Sequence, residues 1–234
     1  MNDSMRLASP RRIASLAARA VPALAASLVT ATMLSACWVP GVIAAVGDNI
    51  DRGKNVEVLA KYQGLENKTV AILFNADMAV LYEHPTTIAN MAVNLATKLQ
   101  REIPGIKVLN QHITLQWMHL HPSWATMAYS SIADELDVER IVVVDLYEFR
   151  LTPPGNRWIW EGVAAGNVGV VEVDGLDPDA FAEEFLVKAE FPTIKGLAKE
   201  QASRDNIELG LQTKFYQEVA FLFYDHVVPK HPED

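Results

Sequence analysis

The sequence predicts a mixed α/β domain, an α+β arrangement in which helices pack on a sheet with parallel and antiparallel strands, following a signal peptide. Three observations carry this. KTVAILFN (68–75) and RIVVVDL (140–146) are nearly continuous apolar runs, the pattern of strands covered on both faces. Between them, apolar residues recur every three or four positions, as an amphipathic helix requires. After Pro153-Pro154-Gly155-Asn156 the pattern turns to strands separated by tight turns, which pair antiparallel.

The first segment is a leader. Arg6, Arg11, Arg12 and Arg19 stand against one acid, Asp3, and the run from Ala20 to Leu34 carries no charge. A basic start before an apolar stretch of about 7–15 residues is the layout of a secretory signal peptide. The run is too short for a membrane-spanning helix, which needs about 20 apolar residues. The alternative is an uncleaved anchor from near Leu16 past Cys37 to Val46, but Pro40 and Gly41 would break it near its exit. Leu34-Ser35-Ala36-Cys37 ends the run and holds the only cysteine of the chain. It resembles the bacterial lipobox, in which small residues admit a peptidase and the cysteine sulfur accepts a diacylglyceryl group. Thiolate nucleophilicity suits that transfer. The expected boundaries are 1–36 for the signal peptide, 37–55 for a tether, 56–228 for the folded domain and 229–234 for a tail. With no second cysteine, an intramolecular disulfide is impossible.

Each element of the domain has a local warrant. VEVLAKY (56–62) alternates and reads as a short edge strand, Gly64 as a turn, and 68–75 as a central strand. Ile88, Met91, Leu95, Leu99 and Ile103 form one helical stripe, opened by Pro85-Thr86-Thr87 and closed by Pro104-Gly105. IKVLN (106–110) is a short strand, and HPSWATMAYSSIADEL (121–136) is expected as a second helix. Residues 140–151 give the strongest strand, with Ile72, Val142, Val143 and Val144 expected among the most buried residues. Residues 157–173 read as one bent strand or two short ones, and the later part of 181–191 as another. Asp205-Asn206-Ile207-Glu208 resembles a capping box. The closing helix carries Ile207, Leu211, Phe215, Val219, Leu222 and His226 on one face.

The apolar strand KTVAILFNAD before a long helix, RIVVVDLYEF after another, and a closing amphipathic helix are similar to the small α/β domain of periplasmic lipoproteins. The order resembles the N-terminal domain of the TolB translocation protein and the curli-secretion channel lipoprotein of CsgG type, over residues 56–228. That resemblance implies a binding or assembly module without catalytic residues. The channel lipoprotein spans its membrane with long amphipathic hairpins. Here only 157–173 is a candidate, and it lacks a partner of similar length, so a pore is not implied.

Composition narrows the partners. The chain has 20 basic and 29 acidic residues; removing the leader takes four arginines and one aspartate, leaving 16 against 28. An acidic surface disfavours nucleic acid and anionic head groups, so the membrane tie is the acyl anchor.

Candidate chemistry is sparse. His84, His112, His119 and His121 could form a zinc set if 119–121 were extended, but His84-Pro85-Thr86 and His121-Pro122-Ser123 read as helix starts. Asp77 and Asp145 follow the two buried strands, where open α/β sheets often bind ligands. Glu83, Glu148, Glu161 and Glu172 are further carboxylates without a motif. No GxSxG, P-loop, GxGxxG or HExxH occurs, and no catalytic residue, cofactor or metal ligand is assigned. Trp117, Trp124, Trp158 and Trp160 are the better signal. Trp158 and Trp160 would project from one sheet face beside a turn, and tryptophan is enriched at interfaces, although core packing accounts equally well for buried ones.

The sequence therefore points to a non-enzymatic envelope lipoprotein, lipidated at Cys37. It would bind envelope proteins or copies of itself through Trp158 and Trp160. The lipobox resemblance implies, where lipoproteins are sorted by the residue after the cysteine, that Trp38 in place of an aspartate directs the chain to the periplasmic face of the outer membrane. A second reading is an accessory lipoprotein of an envelope transport system that holds a lipid or small hydrophobic ligand; a third is a hydrolase using Asp77, Asp145 and the histidines.

Overall fold

In the computed structural model the described residues are 55–229, so the leader, Cys37 and most of the tether lie outside them. Residues 57–228 form one unit. Its elements run β1 (Asn55–Val58), β2 (Thr69–Ala76), α1 (Met78–Glu83), α2 (Thr87–Glu102), β3 (Lys107–Val108), α3 (Gln111–Leu120), a 3-10 turn (Trp124–Thr126), α4 (Tyr129–Leu136), β4 (Arg140–Arg150), β5 (Ile159–Trp160), β6 (Gly162–Glu172), β7 (Phe181–Phe191), β8 (Leu197–Ala198), a second 3-10 turn (Lys199–Gln201), α5 (Arg204–Ala220) and β9 (His226–Pro229).

The main sheet has the order β3-β2-β4-β6-β7. β3, β2 and β4 are parallel, because each is reached through helices. β6 and β7 are antiparallel additions. β5 pairs with β8, and β1 with β9, in separate two-stranded ribbons. The mixed sheet with packed helices is as the sequence predicts. Ile72, Val142 and Val144 are fully buried and Val143 nearly so, which places β2 and β4 at the centre.

Two cores flank the sheet. On one face, Ile88, Met91, Leu95 and Leu99 of α2 and Ile207, Leu211, Phe215 and Val219 of α5 cover Val70, Ile72, Phe74, Val142, Val144, Val168 and Val187. On the other, Trp117, Trp124, Ile132, Ala133 and Leu136 cover Ala71, Leu73, Ile141, Val143 and Val171. Gly166 of β6 explains how α5 comes so close: a Cβ there would sit 2.7 Å from the Asp145 carbonyl oxygen and 3.1 Å from the Phe215 ring.

Several expectations are corrected. The helix expected over 121–136 begins only at Tyr129, and its first part is a 3-10 turn. Residues 111–120 are instead a helix, capped by the Asn110 carboxamide, which accepts from the His112 amide at 2.9 Å. Residues 78–83 add a helix, α1, that the sequence reading does not contain; β1 ends at Val58, short of the strand expected over 56–62, and β3 covers only Lys107–Val108 of that expected over 106–110. β7 occupies all of 181–191. α5 starts after Ser203, whose hydroxyl accepts from the Asn206 amide, so the cap is Ser203 and not Asp205. α5 ends at Ala220, and His226 belongs to β9.

Candidate functional site

The chain leaves β2 through α2 toward β3 on one side, then crosses to β4 on the other through α3 and α4. The carboxyl ends of β2 and β4 thus form a topological switch point, the place where open α/β sheets leave a crevice. Asn75 and Asp145 face each other there in register, and Asn75 Nδ2 donates to Asp145 Oδ1 at 2.9 Å. Asn167 of β6 is the next residue in the same row.

A groove of about 210 Å³ opens beside this row, walled by Trp124, Tyr129, Val143, Phe181 and Glu184. Gly169 keeps it open to Phe181, whose ring occupies the space a Cβ would need. The Tyr129 and Phe181 rings lie 5.3 Å apart. The Tyr129 phenol is pushed above its ordinary pKa, first by burial and then by the charges of Asp145 and Glu184. The groove therefore combines aromatic rings with the carboxylates of Asp145 and Glu184.

Asp77 does not join it. Its carboxylate caps α1, accepting from the Ala79 amide at 3.0 Å. Asp77 and Asp145 are not an acid–base pair. Glu172 accepts from the Tyr62 hydroxyl at 2.6 Å, and Glu148 pairs with Arg150 at 2.8 Å, which are structural uses.

The histidines are also separated. His84 ends α1, and His84-Pro85-Thr86 leads into α2 as expected, whereas His121 ends α3 and His121-Pro122-Ser123 leads only into the 3-10 turn. His84 is 3% exposed, with Nδ1 3.0 Å from Glu208 Oε1, at an angle that falls short of a hydrogen bond, and its ring meets Phe149 edge-on. His121 stacks on Trp117, with Nδ1 2.9 Å from the Trp117 carbonyl. His112 and His119 are exposed on α3. Among the described residues, no three histidine, cysteine or acidic side chains are placed to hold a metal ion.

The tryptophans part company. Trp158 is 77% exposed, as an interface anchor needs to be. Trp160 is only 6% exposed; its indole donates to the Ala202 carbonyl at 3.0 Å, and Lys199 lies over its ring. The two do not project from one exposed sheet face, because Trp158 precedes β5 and only Trp160 pairs with β8. Trp160 is a core residue, and Trp117 and Trp124 are buried too.

The end of the sheet that carries Trp158 holds other exposed apolar side chains. α1 follows β2 and presents Met78, Leu81 and Tyr82, the last 88% exposed. Tyr147 stands out where β4 bulges between Leu146 and Glu148. Residues 78–82 were passed over in the sequence; MAVLYE, directly after a strand and an aspartate cap, was the signal available.

No protein-family model matches the chain, and no characterised protein matches it by sequence. Among solved structures it is similar to a PelC dodecamer subunit from Paraburkholderia phytofirmans at 9% identity, over 73% of this chain and 97% of that one, TM-score 0.43. It is similar to lipoprotein GNA1162 from Neisseria meningitidis at 6% identity, over 64% and 96%, TM-score 0.42. It is also similar to the C-terminal domain of LpoB from Salmonella enterica at 7% identity, over 53% and 83%, TM-score 0.29.

Proposed function

We propose that the chain is a membrane-anchored envelope lipoprotein, of the TolB and curli-secretion kind of module, that docks other proteins and catalyses no reaction. The supporting observation is the set of exposed apolar side chains, Met78, Leu81, Tyr82, Tyr147 and Trp158, at the carboxyl end of the parallel strands. Interface energy concentrates in such tyrosine and tryptophan anchors. Lipidation at Cys37 holds this surface near the membrane, on the periplasmic face of the outer membrane.

The full chain with Tyr82→Ala and Trp158→Ala should lose partner crosslinking at least tenfold, since hot-spot residues contribute about 2 kcal/mol or more each, while its melting temperature stays unchanged. Undiminished crosslinking would sink this surface as the docking site. The anchor is tested separately: Cys37→Ala should leave an unprocessed precursor, and a processed chain without acyl mass would refute it. The ligand-carrier reading has two openings in its favour: the groove at Trp124 and Tyr129, at about 210 Å³, and a wider, mostly apolar hollow of about 460 Å³ lined by Phe191, Leu209 and Gly210, of which only the second reaches the roughly 300–1,000 Å³ of ordinary ligand pockets.

A further inference from the structure

We infer that β7 is a self-association edge, through which two copies of this chain join their sheets about a two-fold axis. β7 is the last strand of the main sheet and runs for 11 residues. Among the described residues nothing pairs with its outer side, so alternate backbone N–H and C=O groups point outward. A long edge strand of this kind is a template for another strand, and proteins that avoid pairing block such edges with proline, short length or charges of one sign. β7 has no internal proline, is long and carries both signs, and its one bulge, at Ala182 near its start, leaves 183–191 regular.

The register follows from the side chains. Glu184, Leu186 and Lys188 lie opposite Gly169, Asn167 and Ala165 of β6, so all three stand on the same sheet face. That face is open at β7: Leu186 is 77% exposed, and Glu184 and Lys188 are exposed beside it. Antiparallel pairing about a perpendicular two-fold axis keeps like faces together. Centred on Leu186, it sets Leu186 against Leu186 of the second copy and Glu184 against Lys188, twice by symmetry; Lys188, which bonds Glu190 of its own strand at 2.6 Å, then lies between two carboxylates. Glu183 then meets Ala189.

Neighbouring registers are worse. A two-residue slip one way puts Glu184 opposite Glu190; the slip the other way sets Lys188 against Ala182 and Glu184 against Leu186, losing both ion pairs. Opposed unlike charges stabilise antiparallel pairs and opposed like charges destabilise them. The opposite face of β7 is already covered by α5, so pairing needs no rearrangement of that core. The occupant that matches this charge order is a second copy of the chain, and the pairing goes beyond the docking proposed at Trp158.

The test uses the full chain solubilised from membranes in detergent. Sedimentation should show a dimer. Glu184→Lys alone and Lys188→Glu alone should each weaken it about tenfold, and the double exchange should restore it. All three side chains are exposed, so circular-dichroism melting should not move. Mild oxidation of the Leu186→Cys chain should give a covalent dimer absent from the chain with only its natural Cys37. Directly opposed residues of antiparallel strands have Cα atoms roughly 4.5–5.5 Å apart, within reach of a disulfide. A monomer at every concentration overturns the inference. So does a dimer that ignores the charge exchange, or one that does not cross-link at position 186. Each of these outcomes leaves docking at Trp158 standing, whereas a normal β7 dimer with unchanged crosslinking in the Tyr82→Ala and Trp158→Ala chain removes the docking reading alone.

Discussion

The parallel and antiparallel halves of the sheet are built on different terms. β2 and β4 have helices on both faces and bury nearly every side chain from Val70 to Phe74 and from Ile141 to Val144. β7 is buried on one face only, at Val187 and Ala189, and its other face carries Glu184, Leu186, Lys188 and Glu190 to solvent. β6, though antiparallel, is as buried as β2 and β4, so the edge strand β7 is what leaves surface free for contact. Helix cover and position in the sheet cause this. The helices that cross the sheet cover the faces they cross, and β6 lies inside the sheet under both cores, whereas β7 is added at the edge beyond the cover of the second core.

The comparison breaks most visibly at Val142. Val142→Asp should prevent folding, because an unpaired buried charge costs several kcal/mol; a chain that kept its cooperative melt would show that β4 is not the central strand. Next is the divided tryptophan pair. Trp160→Ala should cost about 3 kcal/mol in a denaturant titration, and Trp158→Ala close to nothing. Equal losses would mean that both side chains are core.

A smaller effect tests the other end of the sheet. Asp174 receives Lys68 at 2.9 Å and also pairs with Arg140. These contacts, Lys68 first, lower its carboxyl from 3.8 to about 2. A carboxylate depressed in the folded state stabilises at pH above its unfolded value and loses that contribution as pH falls toward 2. Asp174 is half exposed, so the gain is below about 1 kcal/mol. Asp174→Asn should flatten the stability profile between pH 4 and 2 and leave the rest of the curve parallel. Unaltered acid sensitivity would assign that limb to other carboxylates. The smallest change is Leu186→Ser, within about 0.5 kcal/mol of the parent when measured on the monomer. A larger loss would mean that the open face of β7 is packed after all.

Much of the fold was legible because its signals are local. KTVAILFN and RIVVVDL announce buried strands by composition, and the stripe from Ile88 to Leu99 announces α2 by period. α3 was missed because QHITLQWMHL buries only a narrow side, at Gln111, Thr114 and Trp117, which leaves little periodicity to read. The ambiguity of 181–191 has the same origin: FAEEFLVKAEF buries only two residues fully, so its alternation is faint.

The candidate site was legible only in fragments. Asp145 stood out as an acid ending a buried strand, but its partner Asn75 lies 70 residues away and meets it only through the register of β2 and β4. Trp158 and Trp160 looked equivalent, two residues apart beside a turn. The β5–β8 ribbon separates them by giving Trp160 a pocket and the Ala202 carbonyl, and leaving Trp158 in solvent. The sequence by itself determined which segments must be buried, because burial follows from apolar content and period. Only the tertiary structure decided which polar and aromatic residues face each other, because that depends on strand order and helix placement across distances no local pattern encodes.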